Sequence, residues 1–277
     1  MRPASLLHLA RPATQLVTEA IAVGQAAAYY PAGFSDRVCD RLAKHRPTLH
    51  GVAELPVLLV HGIWHNQSWA VRLGRKLAEE GFTCRSVNYR TVGRDIDDAA
   101  AQVATHVRQL AARYGVDRVH VVAHSLGGVV LRTAIVRHGI GDMVAGAVTI
   151  GSPHGGSPLA LRPAWRLPRI GRLIAEVAPA SPFLHQLDVD TVEGTGTDWT
   201  AIYSVHDEIV PGERGRLTHP SLRASNVEVT GVGHIGLMFN STVTFTVLTA
   251  LKFADRGMAR AGTPGVGVAA NTATLSA

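Results

Sequence analysis

The sequence predicts an α/β protein in which a mostly parallel sheet is covered by helices on both faces. Apolar runs of strand length alternate with segments of helical periodicity, as in folds whose parallel strands are joined by helices. Two of these runs, 55–62 and 143–152, are apolar almost throughout, as strands buried on both faces require. With 277 residues, 46% of them hydrophobic, the chain is long enough for one domain with a full core. We place that domain at residues 51–255.

Two strand–helix units open the domain. The strand over 55–62 is followed by a helix that we expect to begin at an N-cap, Ser68, and to end at Glu80. A second strand follows over 82–89. Asp95 is the predicted N-cap of the next helix, which carries apolar residues three or four positions apart. This apolar stripe consists of Ile96, Ala99, Val103, Val107, Leu110 and Tyr114.

The same alternation continues to the last helix of the domain. Further strands are predicted over 118–125, 143–152, 200–205 and 226–232, and further helices over 126–138 and 241–254.

The chain ends lie outside the predicted domain. Residues 1–50 are expected to form a helical extension, with an Ala-rich, partly apolar stretch over 13–30 and a basic run over 37–46. Glu19 and two glutamines within that stretch favour a helix on the domain or on a surface over a removed leader. A cytoplasmic or membrane-peripheral location is therefore favoured, with secretion as the open alternative, and we expect the extension to affect location more than chemistry. Residues 256–277 are Gly-, Ala- and Thr-rich and are predicted to be disordered.

The net charge of +6 is concentrated at the two ends of the chain. Residues 1–50 hold six basic and three acidic residues and residues 251–277 hold three and one, which leaves the middle at +1. Basic ends favour anionic surfaces, whereas aromatic residues, at 5%, are too sparse for a platform that binds single-stranded nucleic acid. The spacing of Cys39 and Cys84 matches no metal site, and a single bridge between them stays open.

The stretch from Val119 to Val130 has the pattern of a nucleophile on a sharp strand-to-helix turn. A β-branched run ends at Ser125, and a helix-compatible segment begins directly after it. Such a turn requires small residues two positions before and two positions after the nucleophile, and Ala123 and Gly127 meet that need. The turn raises the serine hydroxyl above the edge of the sheet. Ser125 is therefore the predicted nucleophile.

A serine hydroxyl needs a base to take its proton and an acid to orient that base. Proteins with this turn carry the acid and then the histidine downstream of the serine. Asp207 follows the strand over 200–205, and His234 follows the last strand, so both lie at strand ends where open α/β sheets place their sites. They are the predicted acid and base. Weaker candidates for the acid are Asp188, Asp190, Asp198 and Glu208.

An ester carbonyl under attack develops a negatively charged oxygen that needs fixed N–H donors. The backbone N–H of Leu126, directly after the nucleophile, is one predicted donor. The other is the backbone N–H of Ile63, in the loop after the first strand.

Residues 153–198 interrupt the alternation of strands and helices with six prolines and many large apolar side chains. The segment leaves the sheet at the edge that carries Ser125 and returns to begin the strand that precedes the acid. We predict a modest cap insertion that binds the acyl part of a substrate, with Trp64, Leu173 and Ile174 as substrate-binding residues. The alternative is that these side chains only cover the edge of the sheet.

Four motifs occur at these positions, and together they resemble a known group of enzymes. The motifs are Val60-His61-Gly62-Ile63, Ala123-His124-Ser125-Leu126-Gly127-Gly128, Ile202-Tyr203-Ser204 with Asp207, and Gly231-Val232-Gly233-His234-Ile235-Gly236-Leu237. Over residues 55–254 the chain is similar to the small bacterial triacylglycerol lipases of the Bacillus type and to the actinobacterial esterase/lipase group. The resemblance implies an α/β-hydrolase sheet and a carboxylic ester hydrolase with Ser125, Asp207 and His234 as triad.

Two departures limit what this resemblance implies. The smallest lipases of this type have neither the first 50 residues nor an insertion as long as 153–198, so lid behaviour and chain-length preference are not carried over. The ligand set for the metal of larger bacterial lipases is not recognisable, so we predict no metal and no cofactor.

The sequence thus predicts a serine carboxylesterase or lipase that acts on lipid or medium-chain esters through an acyl-enzyme. One alternative, a serine acyltransferase or thioesterase on the same fold, differs in the acceptor of the acyl group. Another is a non-catalytic lipid-binding homologue. The expected partner is an ester or lipid substrate, with peripheral contact to a membrane or lipid surface left open. No nucleic acid and no obligate protein partner is expected.

Overall fold

The computed structural model describes residues 13–35, 54–91, 93–162, 171–191 and 196–261. At its centre is a six-stranded sheet with the order β2-β1-β3-β4-β5-β6, in which all neighbouring strands are parallel. The strands are β1 Val57–Val60, β2 Cys84–Val87, β3 Val119–His124, β4 Val144–Ile150, β5 Asp198–Ser204 and β6 Ala224–Val229. The helices are α1 Ala13–Tyr29, α2 Val71–Glu79, α3 Ile96–Tyr114, α4 Leu126–Arg137, α5 Gly171–Glu176, α6 Pro182–Asp190 and α7 Ser241–Ala261. The predicted α/β fold class is confirmed.

Side chains of the sheet alternate between two apolar cores, one on each face. In β1, Leu58 and Val60 belong to the core beneath α3 and α4, whereas Val57 and Leu59 belong to the core beneath α2 and α7. All four are buried, because helices cover both faces of the sheet. This explains why β1, β3 and β4 are apolar almost throughout rather than alternately apolar and polar.

Capping follows the prediction at α3 and differs from it at α2. The side chain of Asp95 accepts a hydrogen bond from the N–H of Asp98 at 2.8 Å, so the predicted cap of α3 is confirmed. The prediction of Ser68 as a cap is wrong. Asn66 accepts from the N–H of Ser68 at 3.0 Å and caps a short 3-10 turn that precedes α2. Tyr114, assigned to the apolar stripe of α3, is exposed because the helix ends there.

Several predictions concern segments at the chain ends and in the insertion. The last helix continues past Ala254 to Ala261, and residues 262–277 lie outside the described residues. So do Cys39 and parts of the insertion, at 163–170 and 192–195, whereas Cys84 is a buried free thiol. The described parts of the insertion form a 3-10 turn, α5 and α6, whose apolar side chains join the core beneath α4.

Candidate active site

Ser125 lies between β3 and α4 in a backbone conformation that favours glycine. Its φ is 55° and its ψ is −128°. Such strain persists only where the surrounding structure enforces it, and it concentrates at functional sites. The turn leaves no room for larger neighbours, since a Cβ at Gly127 would lie 2.6 Å from the carbonyl oxygen of His61. The strained turn therefore presents the hydroxyl of Ser125 at the carboxyl edge of the sheet.

Hydrogen bonds connect Ser125, His234 and Asp207 in series. The Nε2 atom of His234 lies 2.9 Å from Oγ of Ser125, and its Nδ1 atom lies 2.7 Å from Oδ2 of Asp207. All three residues are buried. The loops after β5 and β6 supply the last two, so distant parts of the chain meet where parallel strands end. The structure thus brings together the three residues that the sequence analysis selected.

The carboxylate of Asp207 is held in one orientation. Its Oδ1 atom accepts hydrogen bonds from the N–H groups of Ile209 and Val210, both at 2.8 Å, which leaves Oδ2 to face His234. The hydroxyl of Ser204, at the end of β5, donates at 2.6 Å to a carbonyl oxygen in the loop before His234. The acid and the histidine therefore sit on segments that are tied to each other.

Three of the weaker candidates for the acid pair with arginines instead of a histidine. The pairs are Asp188 with Arg132, Asp190 with Arg137 and Asp198 with Arg223.

Burial and the neighbouring carboxylate shift the pKa of His234 in opposite directions. Burial, the largest influence, lowers the pKa of the imidazole because it removes water from the charged form. The charge of Asp207 and its hydrogen bond raise the pKa, with smaller contributions from Glu208 and Glu19. The effects of these carboxylates together exceed the effect of burial, so the pKa of His234 lies above the ordinary value of 6.5. An imidazole with raised proton affinity is suited to taking the proton of Ser125.

His65 and His124 lie near the base, and His61 lies beside these two histidines. Burial lowers the pKa of His61 to about 4 and also lowers the pKa values of His65 and His124. The ring of His124 is centred 5.0 Å from that of His234, and His61 stacks on Tyr89 at 4.4 Å. These rings are neutral at physiological pH, so they add no positive charge that would oppose protonation of His234.

Ile63 and Leu126, the predicted oxyanion donors, flank Ser125 in the lining of one cavity. Leu126 is the first residue of α4, so its N–H has no acceptor within the helix. Ile63 follows Gly62, where a Cβ would lie 2.8 Å from the Cβ of Ser125, so this loop passes directly beside the serine. Their role as donors to an oxyanion stays a prediction.

The cavity beside Ser125 has a volume of about 260 Å³, and most of the side chains that line it are apolar. Trp64, Leu173 and Ile174, the residues predicted to bind substrate, all line it. Leu173 and Ile174 are buried on α5, whereas Trp64 is 44% exposed and stands at the opening. An apolar cavity against a buried serine suits the acyl part of an ester better than a polar ligand.

The sequence analysis missed part of this site. Ile209 and Val210, two and three positions after the predicted acid, line the cavity, and their apolar character close to Asp207 was the available signal. Glu19 of α1 contacts the loop of the predicted base. Its only signal is that it is the single charged residue within 13–35. The N-terminal extension, which we expected to affect location more than chemistry, therefore reaches the site.

Within the described ranges, no group of three or more His, Cys, Asp or Glu side chains is placed to hold a metal ion. None of the helices in those ranges is both long enough and apolar enough to cross a membrane.

Comparison with known proteins defines the class of this chain. A family model for the alpha/beta hydrolase fold matches residues 56–197, slightly more than half of the 277-residue chain. The chain therefore belongs to the alpha/beta hydrolase fold family.

Solved structures of lipases and phospholipases share this architecture. The mature lipase BlEst2 of Bacillus licheniformis is 18% identical with a TM-score of 0.62, over 74% of this chain and 95% of that one. Lipase B of Aspergillus fumigatus is 19% identical with a TM-score of 0.62, over 79% of this chain and 57% of that one. The phospholipase PlaB of Legionella pneumophila is 14% identical with a TM-score of 0.60, over 76% of this chain and 63% of that one. Identities this low establish a common fold, and the fold implied by the resemblance to Bacillus lipases is confirmed.

Proposed function

We propose that the protein is a carboxylic ester hydrolase that works through a Ser-His-Asp triad and an acyl-enzyme. The observation that carries this proposal is the hydrogen-bonded series from Asp207 through His234 to Ser125 at the wall of an apolar cavity. A serine in that arrangement has a base within reach, and the base has a fixed orientation.

In the first half of the reaction, Oγ of Ser125 attacks the ester carbonyl carbon while its proton passes to Nε2 of His234. The carbonyl oxygen becomes an oxyanion that accepts hydrogen bonds from the N–H groups of Ile63 and Leu126. When the carbon–oxygen bond to the alcohol breaks, His234 returns the proton to the leaving alcohol. The acyl group stays on Ser125, and Asp207 stabilises the imidazolium that forms between these steps.

The second half repeats these steps with water. His234 takes a proton from the water as its oxygen attacks the acyl carbon, and the oxyanion again accepts the two N–H bonds. Collapse breaks the bond to Ser125, whose Oγ recovers the proton from His234, and the carboxylic acid leaves.

The cavity supports lipid or medium-chain esters as the substrate class. Each CH₂ group of an acyl chain that leaves water gains about 0.8 kcal/mol, so an apolar cavity of about 260 Å³ favours longer chains until it is full. Two of the similar structures are lipases and one is a phospholipase, which makes lipid esters the first substrates to test.

Contact with a lipid surface is the second part of the proposal, and α1 supports it. The helix and the 3-10 turn after it expose large apolar side chains: Leu16, Val17, Ile21, Val23, Tyr29, Tyr30 and Phe34. Tyr30 shares a cleft with Trp64, which also lines the catalytic cavity, so this apolar face continues to the cavity opening. The sequence that follows, 37–46, is basic, which favours anionic lipid.

A hydrolysis panel of esters with two to eighteen carbons tests the catalytic proposal, together with labelling by a fluorophosphonate probe. We expect faster hydrolysis of octanoate than of acetate esters, and a loss of both activity and labelling in Ser125→Ala. Ser225→Ala, at an exposed serine of β6, is the matched control and keeps both. Labelling that persists in Ser125→Ala contradicts the proposal. Transfer of the acyl group to added alcohols or thiols in preference to water would point to an acyltransferase.

Vesicle co-sedimentation tests the surface contact. With vesicles that contain anionic phospholipid, Leu16→Gln combined with Ile21→Gln is expected to reduce binding and to lower the ratio of emulsified to soluble ester hydrolysis. An unchanged ratio with unchanged binding would remove α1 from the proposed contact.

A further inference from the structure

Glu19 of α1 contacts the loop that carries His234. Its Oε1 atom accepts a hydrogen bond from the N–H of Ile235 at 2.7 Å, and its Oε2 atom accepts one from the N–H of Gly236 at 2.9 Å. These N–H groups belong to the two residues directly after the histidine. The side chain of Ile235 lines the catalytic cavity, so the carboxylate holds the backbone of the cavity wall.

The loop is shaped to admit this carboxylate. A Cβ at Gly233 would lie 2.6 Å from the carboxyl group of Glu19, and a Cβ at Gly236 would lie 2.8 Å from its Oε2 atom. Neither glycine has a positive φ, so backbone conformation does not require glycine at these positions. The small residues on both sides of His234 therefore provide space for Glu19.

A second contact of α1 reaches the loop of the acid. Gln15, one helical turn before Glu19, is buried and donates from Nε2 to the carbonyl oxygen of His206 at 3.3 Å. His206 directly precedes Asp207. One face of α1 thus contacts both loops that supply partners to Ser125.

Ionisation of Glu19 opposes folding stability rather than adding to it. Burial raises the pKa of Glu19, although the two N–H groups and His234 act against the rise. Both oxygens accept hydrogen bonds from N–H donors, an arrangement that fits the ionised form. When the pKa of a carboxyl group is higher in the folded than in the unfolded protein, ionisation of that group lowers the stability of the fold. The charge of Glu19 therefore opposes stability at pH values above its pKa.

We propose that Glu19 is a positioning residue for the hydrolytic reaction: by holding the backbone N–H groups of Ile235 and Gly236, it keeps the imidazole of His234 aligned with Ser125. This inference rests on the proposed function of the site. It makes α1 part of the catalytic apparatus, so that the helix whose outer face is apolar also fixes the base.

The test compares Glu19→Gln and Glu19→Asp with wild type and with Glu79→Gln, a matched control at an exposed carboxylate of α2. The glutamine side chain loses the charge and turns an NH₂ group toward one of the two N–H donors. The aspartate side chain keeps the charge but is too short to accept from both N–H groups. With a soluble butyrate ester we expect both Glu19 variants to lose about 10- to 100-fold in kcat, with KM within about twofold. The control stays at the wild-type rate.

The pH profile separates positioning from a merely structural role. Titratable groups that interact with His234 are Asp207, Glu208, Glu19, His124 and His65. Removal of the Glu19 charge lowers the pKa of His234, so the acid limb of kcat moves to lower pH in Glu19→Gln and stays in place in Glu19→Asp. The melting temperature of Glu19→Gln is expected within about 4 °C of wild type. An unchanged kcat in Glu19→Gln overturns the proposal. A drop in kcat that is matched by partial unfolding, while the acid limb of the pH profile stays in place, also overturns it.

An NMR titration of the His234 ring protons keeps this test independent of the ester assay. A wild-type protein that hydrolyses no ester refutes the proposed function, while a lower pKa of His234 in Glu19→Gln still supports the contact. An identical titration in wild type and variant refutes the role of Glu19 even where the esterase proposal holds.

Discussion

Replacement of Asp207 by asparagine is the sharpest single test of the site, because the structure dictates how the new side chain will lie. The N–H groups of Ile209 and Val210 point at one carboxylate oxygen of Asp207, and only an oxygen can accept them. In Asp207→Asn the amide oxygen must take that place, so the NH₂ group faces Nδ1 of His234. The imidazole then has to accept at Nδ1 and carry its proton on Nε2, the atom that must accept the proton of Ser125.

The expected loss follows from that reversed tautomer. A histidine held in the wrong tautomer costs about 10⁴-fold in kcat, or about 5 kcal/mol at ~1.36 kcal/mol for each factor of ten. The assay is kcat with a soluble butyrate ester, with circular dichroism to verify the fold. Asp117→Asn, at an exposed carboxylate, is the control and keeps its activity. A loss below about tenfold in a folded Asp207→Asn protein would refute the argument that this carboxylate orients the base.

Three further predictions follow from the same geometry. Ser125→Ala and His234→Ala should each lose at least about 10³-fold in kcat. Because triad members act as a unit, the double variant should be barely slower than either single variant, and losses that multiply would contradict the assignment. Because the pKa of His234 is raised above 6.5 and the base must be neutral, kcat/KM should fall as the pH drops through a midpoint above 6.5. A profile that is flat from about pH 5 to 8 would exclude His234 as the titrating base. Finally, Ile174→Ala should reduce kcat/KM for octanoate esters more than for acetate esters, and equal losses on both would assign Ile174 to the fold alone.

Much of the site was predictable because its features are local in the chain. The turn at Ser125 needs small neighbours within two residues, and a strand that ends at a polar residue marks the functional edge of a parallel sheet. Asp207 and His234 could be selected from their places at strand ends and from the order of acid and histidine after the serine. The helix cap at Asp95 was likewise predictable from adjacent residues, whereas the cap at Asn66 was missed because a 3-10 turn precedes α2.

Features that depend on contacts between distant segments were not predictable in this way. Nothing near Glu19 in the sequence indicates that its carboxylate meets N–H groups more than 200 positions away, as it does at Ile235 and Gly236. The burial of Leu173 in the core beneath α4, unlike its predicted place beside the substrate, likewise depends on how the insertion folds back.

The sequence by itself determined the α/β class, the sharp turn at Ser125 and the identity of two strand-end partners, because each depends on periodicity or on a few adjacent residues. Only the tertiary structure decided which oxygen of Asp207 faces His234, the direction of the pKa shift of that histidine, and the place of α1 beside it. These properties depend on desolvation and on distances of about 3 Å between atoms that the chain order leaves far apart.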